Sequence, residues 1–203
     1  VAAKPGTMEK IAAVLIAFLY PKAALESALG RTEPAKLDDL ATVIFSSGST
    51  GEPKGVMLSH YNISSNVDQM GQVFGFSAAD RFLGILPFFH SFGFTATFAA
   101  PGAIGFGVVY HPNPLDAKTI GNLVSDYAVT FLLATPTFLQ FYLRGCAPED
   151  FGSLNLVVTG AEKLPDRLVT AFDEHFGIRP SEGYGCTECG PAVAVDTKDF
   201  RAA

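Results

Sequence analysis

Ala41-Thr42-Val43-Ile44-Phe45-Ser46-Ser47-Gly48-Ser49-Thr50-Gly51-Glu52-Pro53-Lys54-Gly55 reads as an apolar strand running into a donor-rich loop, and a helical pattern begins just after it at Ser59-His60. The loop holds four hydroxyls (Ser46, Ser47, Ser49, Thr50), three glycines (Gly48, Gly51, Gly55) and Lys54. Glycines let the backbone approach a ligand and turn its N–H groups toward an anion; hydroxyls add donors and a lysine adds a point charge. This is phosphate-binding chemistry. A Walker A loop needs Gly-Lys followed directly by Ser or Thr, whereas Lys54 stands between Pro53 and Gly55, so that pattern is broken. A plain surface turn is the bland alternative, but turns seldom gather so many donors ahead of one lysine.

The order strand, loop, helix recurs along the chain. Phe82–Leu86 is a buried-strand pattern ended by Pro87, followed by a buried helix around Phe92–Ala100 and a second strand at Gly107–Tyr110. An amphipathic helix fits Asp116–Tyr127, a strand Thr130–Ala134, and Thr135-Pro136 opens the next helix as N-cap and N1. Leu156–Val158 is another strand, and Pro165 starts a helix with Leu168, Val169, Phe172 and Phe176 inward. The expected fold is α/β: a largely parallel β-sheet flanked by helices. Ligands in such folds sit beyond the carboxyl ends of the strands. The polar clusters after Phe45, Leu86, Ala134 and Val158 all fall at strand ends on this reading, which points to one composite site.

Composition excludes several classes. Of 203 residues, 48% are hydrophobic and 17% charged, the mark of a well-buried globular body. A net charge of −6, with no Lys/Arg run, argues against a nucleic-acid surface. Three cysteines and no signal peptide fit a reducing compartment, and the Cys186/Cys189 pair lacks a second pair at zinc-finger spacing, so ordinary thiols are expected. Phe82–Leu115 has no Asp, Glu, Lys or Arg, but Pro87, Pro101 and four glycines break it into pieces too short to span a bilayer. Thr7 is the expected cap of a first helix that Pro21 ends, and residues 1–40 read as that helix plus a connector. A start at Val1 and a stop at Ala203 give the look of an excerpt from a longer polypeptide.

Four motifs together resemble the adenylate-forming (AMP-binding) superfamily of acyl-CoA synthetases, luciferases and peptide-synthetase adenylation domains. Ser46–Gly55 is similar to its phosphate-binding signature, Pro87-Phe88-Phe89-His90 to its Pro-x-x-His motif, Thr159–Pro165 to its adenine-flanking loop, and Tyr184-Gly185-Cys186-Thr187-Glu188 to its Tyr-Gly-x-Thr-Glu motif. Alone, a histidine among aromatics reads as a hydrogen-bonded core residue; the resemblance turns His90 into a residue facing the reacting carboxylate. It also implies that Ser46, Ser47, Gly48, Ser49, Thr50, Gly51 and Lys54 hold phosphates, that Gly160, Ala161 and Glu162 flank the adenine, and that Gly183, Tyr184 and Gly185 belong to the nucleotide site, with Tyr184 stacked against the base. Thr187 would donate to the α-phosphate or acyl carboxylate, and Glu188 would help hold Mg²⁺. The implied cofactors are ATP and Mg²⁺.

Within the superfamily the segments look closest to the synthetase domain of bifunctional acyl-[acyl-carrier-protein] synthetase/2-acylglycerophosphoethanolamine acyltransferases. That implies a fatty acid activated as its acyl-adenylate and passed to a thiol of acyl carrier protein or CoA, in the cytoplasm or at the cytoplasmic face of a membrane, membrane association coming through parts outside this stretch. Residues 41–203 would be a partial AMP-binding domain, part of the large N-terminal domain of such an enzyme. The family's ribose-binding Asp motif and late catalytic Lys have no counterpart here, so this stretch alone is expected to bind nucleotide weakly and not to complete adenylation. Two alternatives stay open: an aryl-acid or medium-chain CoA ligase of the same superfamily, and a non-catalytic nucleotide- or lipid-binding module.

Overall fold

The computed structural model describes residues 6–19, 34–47 and 52–196, with Pro21, Ala24, Ser27, Ala28 and Gly30 between. It divides into two compact units, Val1–Lys36 and Leu37–Ala203. The first carries helix α1 (Thr7–Leu19), whose opening hydrogen bond runs from Lys10 N back to the Gly6 carbonyl, so Thr7 is the first helical residue and not the cap.

In the second unit, β5 (Phe131–Ala134) and β6 (Leu156–Thr159) form the centre of a six-stranded sheet ordered β4 (Gly107–Tyr110), β3 (Arg81–Gly84), β5, β6, β7 (Ser181–Gly185), β8 (Ala192–Val195). All pairings are parallel except β7–β8. The largely parallel expectation holds, and its cause is visible in the alternation. Phe82, Phe131, Leu133, Leu156 and Val158 face one apolar layer; Leu83, Leu132, Ala134 and Val157 face the other. Successive side chains of a strand point to opposite faces, so a strand covered on both sides must be apolar throughout.

On one face lie α5 (Ala117–Asp126), α6 (Pro136–Gly145) and α7 (Asp166–Phe176), whose Ile120, Val124, Leu139, Tyr142, Leu168 and Phe172 are buried against the sheet. Thr135 caps α6 by accepting from Phe138 N, as its sequence position predicts. The other face is covered by α2 (His60–Phe74) and by a composite helix: α3 (Ser91–Phe94), a π-helical segment (Thr95–Ala99) and α4 (Ala100–Ile104). Phe74, Phe76, Phe82, Phe106 and Phe131 stack edge-to-face and offset across this layer, with centroids 4.0–5.6 Å apart.

Two expectations need correction. The sequence reading ended the buried helix at Pro101, but the helix runs through it to Ile104. Pro101 has no N–H for the carbonyl of Thr97 four residues earlier, and the Tyr110 hydroxyl donates to that carbonyl instead. The run Ala41–Phe45 is also not a strand of the parallel sheet. β1 (Leu40–Ser47) pairs antiparallel with β2 (Pro53–Ser59), a strand the sequence reading missed, in a separate two-stranded hairpin. The cluster after Phe45 therefore sits at a hairpin tip and not at the carboxyl end of a parallel strand.

Candidate active site

The hairpin register sets Ser46 opposite Lys54 and Ser47 opposite Pro53, so the phosphate-type loop is the tip between them. Gly48, Ser49, Thr50 and Gly51 lie outside the described residues. Directly after β2, Ser59 caps α2: its Oγ accepts from Asn62 N at 3.2 Å while Asn62 Oδ1 accepts from Ser59 N at 3.0 Å. This reciprocal capping box fixes how the hairpin enters the helix.

Beside it opens a cavity of about 580 Å³. Part of its lining is apolar, with Met70, Phe74, Phe76, Phe82, Ala96, Ala100, Phe131 and Leu133. The rest includes Ser46, His90, Ser91, Gly160, Ala161 and the Gly183–Glu188 segment. Most of the residues singled out from sequence thus border one cavity. Lys54 and Glu162 do not line the cavity: Lys54 is exposed on β2, and Glu162 Oε2 accepts from the Thr137 hydroxyl at 2.8 Å.

Each polar group is held by local structure. His90 is the N-cap of α3 and its Nδ1 accepts from Phe92 N at 3.2 Å, which orients the ring at the start of the helix. It is exposed, so the core-histidine reading fails. Gly93 is required in the next turn, because a Cβ there would run into the Pro87 carbonyl oxygen. β7 carries Glu182, whose Oε1 accepts from Leu164 N and ties the strand to the loop that follows β6. In that loop Ala161 adopts a left-handed conformation (φ 67°), sparsely populated for a residue with a Cβ. Strain of this kind is stored where the surroundings over-determine it. Gly185 lies so near the Pro191 carbonyl that a side chain would not fit. Tyr184 leaves 67% of its surface open, a flat apolar face free for a planar group.

Thr187 is buried and its Oγ1 lies 3.0 Å from the buried Ser91 Oγ, so the composite helix and the Tyr-Gly-Cys-Thr-Glu segment share a hydroxyl pair. Glu188, next in chain, is exposed at the cavity. Thr95 Oγ1 donates to the Gly190 carbonyl at 3.2 Å, a second tie between the same two elements. Asn66 is 3% exposed; its side-chain amide donates to the Ala192 carbonyl at 2.8 Å, and its Oδ1 accepts from Ala192 N at 3.1 Å.

Ser91 and Asn66 escaped the sequence reading. Asn66 left a signal: it falls on the stripe Ile63, Val67, Met70 and Phe74 that α2 turns inward, and a polar residue on a buried stripe needs a partner. Ser91 left none, since nothing in the sequence pairs it with a threonine 96 positions away. Among the described residues no three His, Cys, Asp or Glu side chains gather to hold a metal, and no helix is long and apolar enough to cross a membrane.

A family model for AMP-binding enzymes matches residues 6–202. The long-chain-fatty-acid–CoA ligase of Bacillus subtilis (strain 168) is 32% identical over 164 residues, 76% of this chain and 28% of its own length. Tyrocidine synthase 3 of Brevibacillus parabrevis is 35% identical over 154 residues, 74% of this chain and 2% of its own length. Among solved structures, ATP-bound MatB from Rhodopseudomonas palustris superposes with a TM-score of 0.75 at 26% identity, covering 88% of this chain and 36% of that one. O-succinylbenzoate coenzyme A synthetase from Bacillus subtilis, in complex with ATP and magnesium ion, gives 0.74 at 27% identity, covering 84% and 36%. The chain therefore spans a third or less of the length of the relatives it first matches. Four sequence motifs point to the family, residues from each border one cavity, and the match over nearly the whole chain decides it: this chain belongs to the AMP-binding enzymes, the adenylate-forming superfamily.

Proposed function

We propose that the protein activates a long-chain fatty acid with ATP, forming the acyl-adenylate and pyrophosphate, and passes the acyl group to the thiol of CoA or of acyl carrier protein. The observation that carries this reading is the mixed lining of the cavity. Its phenylalanines suit a hydrocarbon tail that gains free energy by leaving water, and its polar residues suit a carboxylate and a nucleotide.

In this reading the hairpin tip, with Ser46, Ser47, Gly48, Ser49, Thr50, Gly51 and Lys54, holds the phosphates. Gly160, Ala161 and Tyr184 flank the base: small residues admit it and the open tyrosine face covers it. The Thr187 hydroxyl, now turned to Ser91, donates to the oxygen on which charge develops, and His90 borders the carboxylate from the helix cap. Glu188 offers one exposed carboxylate, which fits Mg²⁺ because that ion takes one or two protein carboxylates and fills its shell with phosphate oxygens and water. When bound, the ion neutralises phosphate charge; the residues above orient the reactants and supply hydrogen bonds. Residues 41–203 would then be part of a larger nucleotide domain preceded by a helix and connector in 1–40.

A second reading rests on the same cavity. Edge-on phenylalanines also make a slot for a planar aryl acid, and 4-coumarate–CoA ligases are among the matched relatives. ATP–pyrophosphate exchange by the full-length protein, with palmitate, octanoate and 4-coumarate in parallel, separates the two. Exchange highest with palmitate is expected; exchange with 4-coumarate alone moves the substrate to aryl acids, and silence with every acid from a folded, ATP-binding protein overturns the enzymatic reading. Thr187→Ala should lower the palmitate-dependent rate by on the order of a hundredfold, the usual cost of one oxyanion donor.

A further inference from the structure

Cys186 and Cys189 bracket the Thr187–Glu188 pair, and their sulfurs are 3.2 Å apart. The proximity is built in. Cys186 is the N-cap of a short 3₁₀ turn (Thr187–Cys189), Cys189 occupies its third residue, and Cys189 N donates to the Cys186 carbonyl at 3.0 Å. A side chain at the cap lies beside the one three residues on, the relation that capping boxes exploit. Cys189 is exposed and Cys186 half-buried, so an oxidant in solution reaches the pair. The third cysteine is a contrast. Cys146 is buried and donates to the Ala117 carbonyl at 3.1 Å, so an oxidant in solution does not meet it as it meets the pair.

We propose that Cys186 and Cys189 are a reversible disulfide site, and that closing it lowers the turnover of the nucleotide site. The oxidant is a peroxide. The Cys189 sulfur attacks one peroxide oxygen, the O–O bond breaks, and water leaves as a sulfenic acid forms. The Cys186 sulfur then attacks the Cys189 sulfur; the S–S bond forms, the S–O bond breaks and a second water departs. Two thiols and one peroxide give one disulfide and two waters, and a dithiol reductant restores both thiols.

The functional effect, which rests on the proposed function, follows from distance. A disulfide is about 2.05 Å long, so the sulfurs must approach by roughly 1 Å across the turn that carries Thr187 and Glu188. The approach is shared between the χ1 torsions of the two cysteines and the turn between them, and Thr187 in that turn is tied from outside to Ser91, so closure shifts the hydroxyl or the carboxylate against that tie. Misplacements of about 1 Å near reacting groups cost on the order of a hundredfold in rate.

The test treats the full-length protein with hydrogen peroxide, alkylates it and maps the peptide holding both cysteines by mass. The expected peptide has lost two hydrogens, resists alkylation and recovers with dithiothreitol; Cys186→Ser and Cys189→Ser each abolish that loss. In parallel, palmitate-dependent exchange should fall between about tenfold and a hundredfold on oxidation and return on reduction, while Cys189→Ser keeps its activity throughout. Thiols that stay alkylatable, sulfinic acids in place of the disulfide, or a disulfide that leaves exchange unchanged would each overturn the proposal. A protein that loses the two hydrogens yet shows no exchange with any acid, before or after reduction, would fail the proposed function while the disulfide site stands on its mass.

Discussion

In β5 and β6 every residue is buried, and apolar side chains alternate between two covered faces. In the β1–β2 hairpin Ile44 and Leu58 are buried, while Phe45 is 71% and Met57 68% exposed. The two regions are made of similar residues put to different ends. Two-sided burial locks register, because a slip by one residue would swap the sets facing each layer. The one-sided hairpin adds Ile44 and Leu58 to the core and delivers the chain into α2 through the Ser59 cap. A platform covered on both faces and an arm covered on one stand side by side in the same unit.

Substitutions on the two regions test this contrast. The largest expected effect is Phe82→Ala, which empties the centre of the phenylalanine layer and should cost about 3–5 kcal/mol in urea unfolding of the full-length protein. Phe45→Ala, the same change on the hairpin, should stay within about 0.5 kcal/mol. Equal losses at the two positions would mean that the hairpin is covered as deeply as the platform, and the distinction would collapse. Next comes Asn66→Leu, which leaves both backbone groups of half-buried Ala192 without their side-chain partner and should cost about 1–2 kcal/mol. If Asn66→Leu proves neutral, β8 is held by its ladder with β7 alone. Smallest is Ser59→Ala at the junction, about 1 kcal/mol of helix capping. A loss confined to amide-exchange protection in the first turn of α2 would place the hairpin's anchorage in that cap.

The platform was legible because strands buried on both sides spell themselves out: Phe131–Ala134 and Leu156–Val158 admit no polar residue. The hairpin was not, for a related reason. Ala41–Phe45 is just as apolar, and an apolar run names no partner strand, so it was assigned to the parallel sheet. Pro53, Lys54 and Gly55 have poor strand propensity and hid β2, as Gly183 and Gly185 hid β7. Those glycines stand where side chains would meet neighbouring backbone, a tertiary demand with no local signature. The site was readable only as a set of motifs. Three of them meet through the strand order of the sheet and the first is brought in by the separate hairpin, while the Ser91–Thr187 and Asn66–Ala192 contacts arise from segments 96 and 126 positions apart.

That last separation has a consequence for how the protein is made. A growing chain leaves the ribosome from its N-terminus at about 5–20 residues per second, and its parts fold as they emerge. Helix α2 can form early, but the amide of Asn66 finds its partner only after Ala192 has been translated. For the intervening seconds the nascent helix carries a polar group on the stripe meant for burial, which disfavours docking it prematurely on the half-built sheet. The clamp thus marks completion: the contact between α2 and β8 cannot close until the earlier strands of the sheet have all been made.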